Sequence, residues 1–173
     1  MLIVNFFAGP GAGKSTMTAR VFTMLKDKGV CVEQALEFAK ELTWQKRHAE
    51  MRCQPHLFGE QLWRLESLRD TGVEVVLTDS PLLLQTAYNT SCVPEFNALA
   101  AAIHRSHSTL NFFIERVKPY DPRGRRQSQQ SAIDMDRKIW NVLAEFGVEF
   151  ETVTGDKAGA GIVQHLVLKR IGA

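Results

Sequence analysis

Long hydrophobic runs are missing from this chain of 173 residues. No apolar stretch approaches the ~18 residues that a membrane-spanning helix needs, so a helical membrane protein is not expected. Cysteine is scarce. Cys31, Cys53 and Cys92 are odd in number, scattered and never in C-x-x-C spacing, which argues against a disulfide framework or a zinc site and for reduced thiols in cytoplasm. The five histidines, His48, His56, His104, His107 and His165, show no metal-ligand spacing. An excess of one charge is also lacking. With 21 Lys and Arg against 19 Asp and Glu, the net charge of +2 is too small for a protein coated in nucleic acid, though a local basic patch is allowed. No basic segment or cleavage site precedes the apolar run at Leu2, so no secretory leader is expected. The composition is ordinary and globular, 45% hydrophobic and 23% charged, with no internal repeat or low-complexity segment. The length fits one domain, residues 1–173, burying roughly two-thirds of its unfolded surface.

Apolar segments alternate between two periods. Strands are predicted at Leu2–Phe7, Val30–Glu33, Val73–Thr78, Leu110–Glu115 and Val148–Val153. Helices are predicted between them, at Lys14–Lys28, Ala35–Thr43, His56–Asp70, Pro81–Asn89, Pro94–His107, Ser128–Phe146 and Ala160–Arg170. In the Ser128 helix, Ala132, Met135, Ile139, Leu143 and Phe146 recur at three and four. Near-continuous apolar strands such as Val73-Glu74-Val75-Val76-Leu77 suit a sheet covered on both faces. Strands separated by helices imply right-handed crossovers, hence a parallel sheet in a three-layer α/β/α sandwich.

The first strand stops at a glycine-rich turn, "AGPGAGKST", and a helical pattern follows with Met17, Val21, Met24 and Leu25 on one face. Strand, loop and helix in that order give a P-loop its context. Gly9, Gly11 and Gly13, with Pro10 and Ala12 between them, let backbone N–H groups converge on phosphate at a helix N-terminus. Lys14 is placed to meet the β- and γ-phosphates, and the hydroxyl of Ser15, followed by Thr16, to coordinate Mg²⁺. Ala8 stands where the strictest pattern has glycine. A bound nucleoside triphosphate is the expectation. The N-K-x-D stretch by which GTPase switches read guanine is missing. So is the glutamate that motors and transporters place after the acidic end of their second core strand: in "VEVVLTDSPLLL", Ser80 follows Asp79. Phosphoryl transfer to an acceptor other than water is therefore the better reading.

Four further features bear chemistry. Asp79 ends a buried strand, where a carboxylate holds Mg²⁺ or accepts a proton from the attacking hydroxyl; capping the helix at Pro81 is its structural alternative. Glu37, in "VEQALEFAKELTW", is either a solvated helix-surface acid beside Lys40 or a general base on the acceptor hydroxyl. Residues 116–127 gather Arg116, Lys118, Arg123, Arg125 and Arg126 among Pro119, Pro122 and Gly124, as befits a loop. It reads as an arginine-rich lid over the triphosphate, with a solvated basic loop and a nucleic-acid clamp as alternatives. Gln61 matches the N3–H and O4 of uracil or thymine, and Trp44, Phe58, Trp63 and Tyr88 are aromatic candidates for stacking, although such spacing also describes plain core.

With these residues in view, the chain resembles the bacteriophage P-loop kinases of 5-hydroxymethyluracil in DNA. The resemblance runs from "FFAGPGAGKST" through "EFAKELTW" and "TDSPLLL" to "LNFFIERVKPYDPRGRRQ". Nicotinamide riboside kinase domains share a weaker likeness. The similarity implies strand order 2-3-1-4-5, a lid at the arginine loop, and a primary alcohol as acceptor, which favours functional roles for Glu37 and Asp79. The reaction it implies is ATP- and Mg²⁺-dependent phosphorylation of 5-hydroxymethyl-2'-deoxyuridine in DNA, in an infected host cell. Kinases of free deoxynucleotides or nucleosides are the alternative, and a nucleotide-dependent DNA-binding switch is the alternative of another class.

Overall fold

The computed structural model describes residues 1–90, 93–117 and 128–173. Five parallel strands form its centre: β1 (Leu2–Phe7), β2 (Val32–Ala35), β3 (Val75–Thr78), β4 (Thr109–Glu115) and β5 (Glu151–Thr154). Their order is β2-β3-β1-β4-β5, as the resemblance implied. Between them run α1 (Lys14–Lys26), α2 (Phe38–Trp44), α3 (Gln54–Glu66), α4 (Leu84–Tyr88), α5 (Pro94–Ser106), α6 (Gln129–Glu145) and α7 (Lys157–Ile171). Among the described residues, no helix is long and apolar enough to cross a membrane.

All six residues of β1 are buried because both faces of the central strand are covered. Val4 and Phe6 pack with Met17, Val21 and Leu25 of α1 and Val163 and Val167 of α7. On the opposite face, Ile3 meets Phe58 and Leu65 of α3 and Ala100 of α5. Phe7 meets α4 and the Ile139–Leu143 stripe of α6. The result is the expected three-layer α/β/α architecture. Strand register then brings Ala35, Thr78 and Asn5 side by side, so the ends of β2, β3 and β1 open onto one rim. Because β1 is flanked by β3 and β4, chain order reverses there, and such a point leaves a crevice above the strand ends.

Two boundaries differ in ways that matter. β2 lies two residues later than its apolar run suggested, and Ala35, expected to open a helix, instead pairs with Thr78 as the strand's last residue. Val30 is held by a bond from its N–H to Leu25 O after Gly29, whose φ is 78°, so it closes the preceding turn. Helix α2 therefore starts only at Phe38, and Glu37 precedes it in extended conformation. At the other end, α7 begins at Lys157, earlier than expected, because the Asp156 side chain caps it by accepting the N–H of Gly159 at 3.0 Å.

Candidate active site

Between β1 and α1 the chain makes a tight loop in which Gly11 (φ 80°) and Gly13 (φ 102°) adopt the left-handed conformation that glycine tolerates best. Gly13 is the N-cap of α1 and offers no side chain. The first-turn N–H groups of α1 thus lack intrahelical acceptors and point at whatever sits in the loop. Lys14 and Ser15 are half-buried, Pro10 is half-buried, Ala8 and Ala12 are buried, and Thr16 is exposed. The β5–α7 turn closes one side: a Cβ on Gly155 would lie 3.0 Å from Ala12 O.

Asp79 is 2% exposed at the end of β3. Its Oδ2 accepts the Ser15 hydroxyl at 2.5 Å, and its Oδ1 accepts the backbone N–H of Glu37 at 3.0 Å. It does not cap α4, whose N-cap is Leu83 and has no side-chain cap. A hydroxyl and a carboxylate in contact are hard oxygen donors, and Mg²⁺ commonly takes one or two such ligands and fills its octahedron with phosphate oxygens and water. The two residues thus fit the ion that P-loop NTPases employ, and the loop above them fits a triphosphate.

Lys14 Nζ donates to Ala8 O at 2.8 Å and Gly9 O at 3.3 Å. Burial holds its pKa below the ordinary lysine value, while Glu37, Asp79 and Asp136 counteract this and Arg116 adds to it. Glu37 shows the converse. Burial raises its carboxyl above the usual range and Asp79 raises it further, against Lys14 and Lys40. Both groups stand in one cleft, each feeling the other. Glu37 therefore does not lie on the solvated face of a helix, as one sequence reading had it.

The other candidates divide. Arg123, Arg125 and Arg126 lie outside the described residues. Arg116 follows β4 directly, and its guanidinium is committed: Nε donates to Asp136 Oδ2 at 2.6 Å, Nη2 to Asp136 Oδ1 at 3.2 Å, and Nη1 to Pro10 O at 2.7 Å. It braces the P-loop, where a lid role was expected. Gln61 is also corrected. It is 1% exposed, its Nε2 donates to Ala35 O and Thr78 Oγ1, and its Oε1 accepts the N–H of Phe38 at 3.4 Å. With both ends of the amide engaged by protein, it holds the β2–α2 turn and has nothing left to read a base. Phe58 is core, edge-on to Phe96, whereas Trp44 and Trp63 are 70% and 67% exposed.

Two more residues join the cleft, Tyr88 from the aromatic candidates and Asp136, which the sequence did not single out. Tyr88, the last residue of α4, is half-buried, and its phenol is pushed up by burial with Glu37 and Asp136 adding to the effect. Asp136 accepts the N–H of Gly9 at 2.5 Å. In sequence it reads as one more polar residue on α6; only Ala132 one turn earlier and Gly9 opposite, both small, hint at a close approach. A depression of about 480 Å³ lined by Thr109, Glu149 and Arg170 lies at the N-terminal ends of β4 and β5 and holds none of these residues.

Residues 3–158 match the model of a family described as an AAA domain. A comparison with curated proteins gives no match. Since the match spans the P-loop, all five strands and the crevice above them, the chain belongs to this AAA domain family and is a nucleotide-binding protein of the P-loop NTPase type.

Proposed function

We propose that the chain, as a single kinase domain, transfers the terminal phosphoryl of ATP to an alcohol, with Mg²⁺ held by Ser15 and Asp79. The observation that carries this reading is the position of Asp79, whose one carboxylate accepts both the Ser15 hydroxyl of the P-loop helix and the backbone N–H of Glu37. Mg²⁺-bound ATP, when present, supplies an electrophilic phosphoryl and a leaving ADP. The chain supplies the rest. Gly11 through Thr16 cradle the phosphates, with Gly9, its N–H taken by Asp136, shaping the loop before them. Lys14 offsets their charge, and Glu37, its pKa raised by burial, accepts the proton of the attacking hydroxyl. Ser80 follows Asp79 where a water-activating glutamate would favour hydrolysis. Arg123, Arg125 and Arg126 are proposed to meet the developing charge on the transferring group.

The acceptor we propose is the hydroxymethyl group of 5-hydroxymethyl-2'-deoxyuridine in DNA. The resemblance in "EFAKELTW" and "TDSPLLL" supports it, and the exposed Trp44 and Trp63 on α2 and α3 offer aromatic faces on which an extruded base could stack. The test is incubation with γ-labelled ATP and Mg²⁺. DNA containing 5-hydroxymethyluracil should take label, thymine DNA should not, and Lys14→Ala should abolish labelling with unchanged circular dichroism. Digestion to nucleosides should place the phosphate on the 5-hydroxymethyl oxygen. Efficient labelling of free deoxynucleosides or monophosphates, with modified DNA ignored, would replace this acceptor by a small one. ATP turnover with no labelled acceptor would favour the nucleotide-dependent switch.

A further inference from the structure

Helix α6 reaches the P-loop through one carboxylate. Asp136 Oδ1 takes the backbone N–H of Gly9 at 2.5 Å, and both its oxygens take Arg116. Arg116 in turn donates to Pro10 O at 2.7 Å and to Ala132 O at 3.3 Å. An ion pair from two distant parts of the chain thus grips one loop residue by its N–H and the next by its C=O. The pair is largely enclosed, its side chains 20% and 19% exposed. The grip continues inward, because the carbonyls of Gly9 and Ala8 are the ones that hold Lys14 Nζ. Packing here is down to backbone: a Cβ on Gly9 would lie 2.6 Å from Ala132 O and 2.9 Å from Asp136 Oδ1.

A partly buried ion pair is weak evidence for stability, since desolvation offsets much of its attraction. Its value here lies in the geometry it imposes. We propose that Asp136 is a positioning residue for phosphoryl transfer, acting through Gly9 and Arg116 to fix the first half of the P-loop and hence the point from which Lys14 meets the terminal phosphate. This inference rests on the phosphotransferase reading. The remaining amide cradle, Gly11 to Ser15, lies beyond the gripped residues, so nucleotide affinity should survive loss of the grip while alignment suffers. A misplacement of about 1 Å costs on the order of a hundredfold in rate.

The test compares Asp136→Ala with Asp136→Asn in the full chain. Asparagine keeps an oxygen for the Gly9 N–H but loses the charge. Asp136→Ala should lower kcat tenfold or more while the Kd for Mg²⁺-ATP moves by less than about threefold, and Asp136→Asn should recover part of kcat. The Gly9 amide proton, deshielded by a short bond to a carboxylate, should shift upfield in the alanine variant. An unchanged kcat, a loss lying wholly in Kd, or an unmoved Gly9 resonance would each overturn the proposal. If the wild-type chain phosphorylates no acceptor, the phosphotransferase reading fails. The Gly9 resonance and the nucleotide affinity still decide whether Asp136 fixes the loop, because neither requires turnover.

Discussion

Asp79 and Glu37 sit close together, and the proposed mechanism gives them different work. Asp79 accepts the Ser15 hydroxyl and is 2% exposed, whereas burial raises the pKa of Glu37. Asp79→Asn should weaken Mg²⁺ binding, with activity partly restored at high Mg²⁺. Glu37→Gln should leave Mg²⁺ affinity intact and slow the chemical step by about a hundredfold, within the range for a general base. Titrating Mg²⁺ against single-turnover rates separates the two, and exchanged phenotypes would exchange the roles. Gln61 carries a different lesson. Its sequence position offered a polar side chain on a stripe shared with Leu57 and Leu68, which fits base reading and turn bracing equally well. Three bonds to Ala35, Thr78 and Phe38 make it a brace for the β2–α2 turn that carries Glu37.

Helix ends are where local chemistry shows through most clearly. Ser128 caps α6 by accepting the N–H of Ser131 at 3.1 Å, in line with a helix predicted to begin at Ser128. Ser128→Ala should cost about 1 kcal/mol, a loss of about 2–4 °C in melting temperature, measurable by calorimetry. Strand ends were less clear. Cys31 and Val32 continue the apolar run from Val30, and periodicity cannot say which of these residues pairs with β3. Pairing fixed it: Val32 opposite Val75 and Ala35 opposite Thr78. That two-residue slip moved Glu37 from a helical face to the turn at the rim, and so decided which of its two readings the surroundings support.

Across the whole molecule, stability should depend on pH through His104, whose ring lies edge-on to Phe7. Burial against the sheet pushes His104 down to about 4, with His107 and Arg105 adding to the shift. The unfolded chain then binds more protons than the folded one between about pH 6.5 and 4, so stability falls as pH drops through that window, by about 3 kcal/mol in all. Urea unfolding at pH 7 and pH 5 should show the loss, and His104→Leu should remove most of it. Glu66, held down to about 2 by Arg69 and His107, acts in a lower window, losing its contribution as pH falls from about 4.5 to 2. The P-loop, the alternating strands and helices, and the acid at the end of β3 all follow from residues adjacent in the chain, because backbone conformation and hydrophobic period are local properties. The partnership of Gly9 with Asp136, the brace at Gln61 and the diversion of Arg116 join residues between 16 and 127 positions apart. No local pattern encodes such contacts; they arise when the sheet order brings α3, β4 and α6 around one rim, and packing then selects which polar groups find partners there.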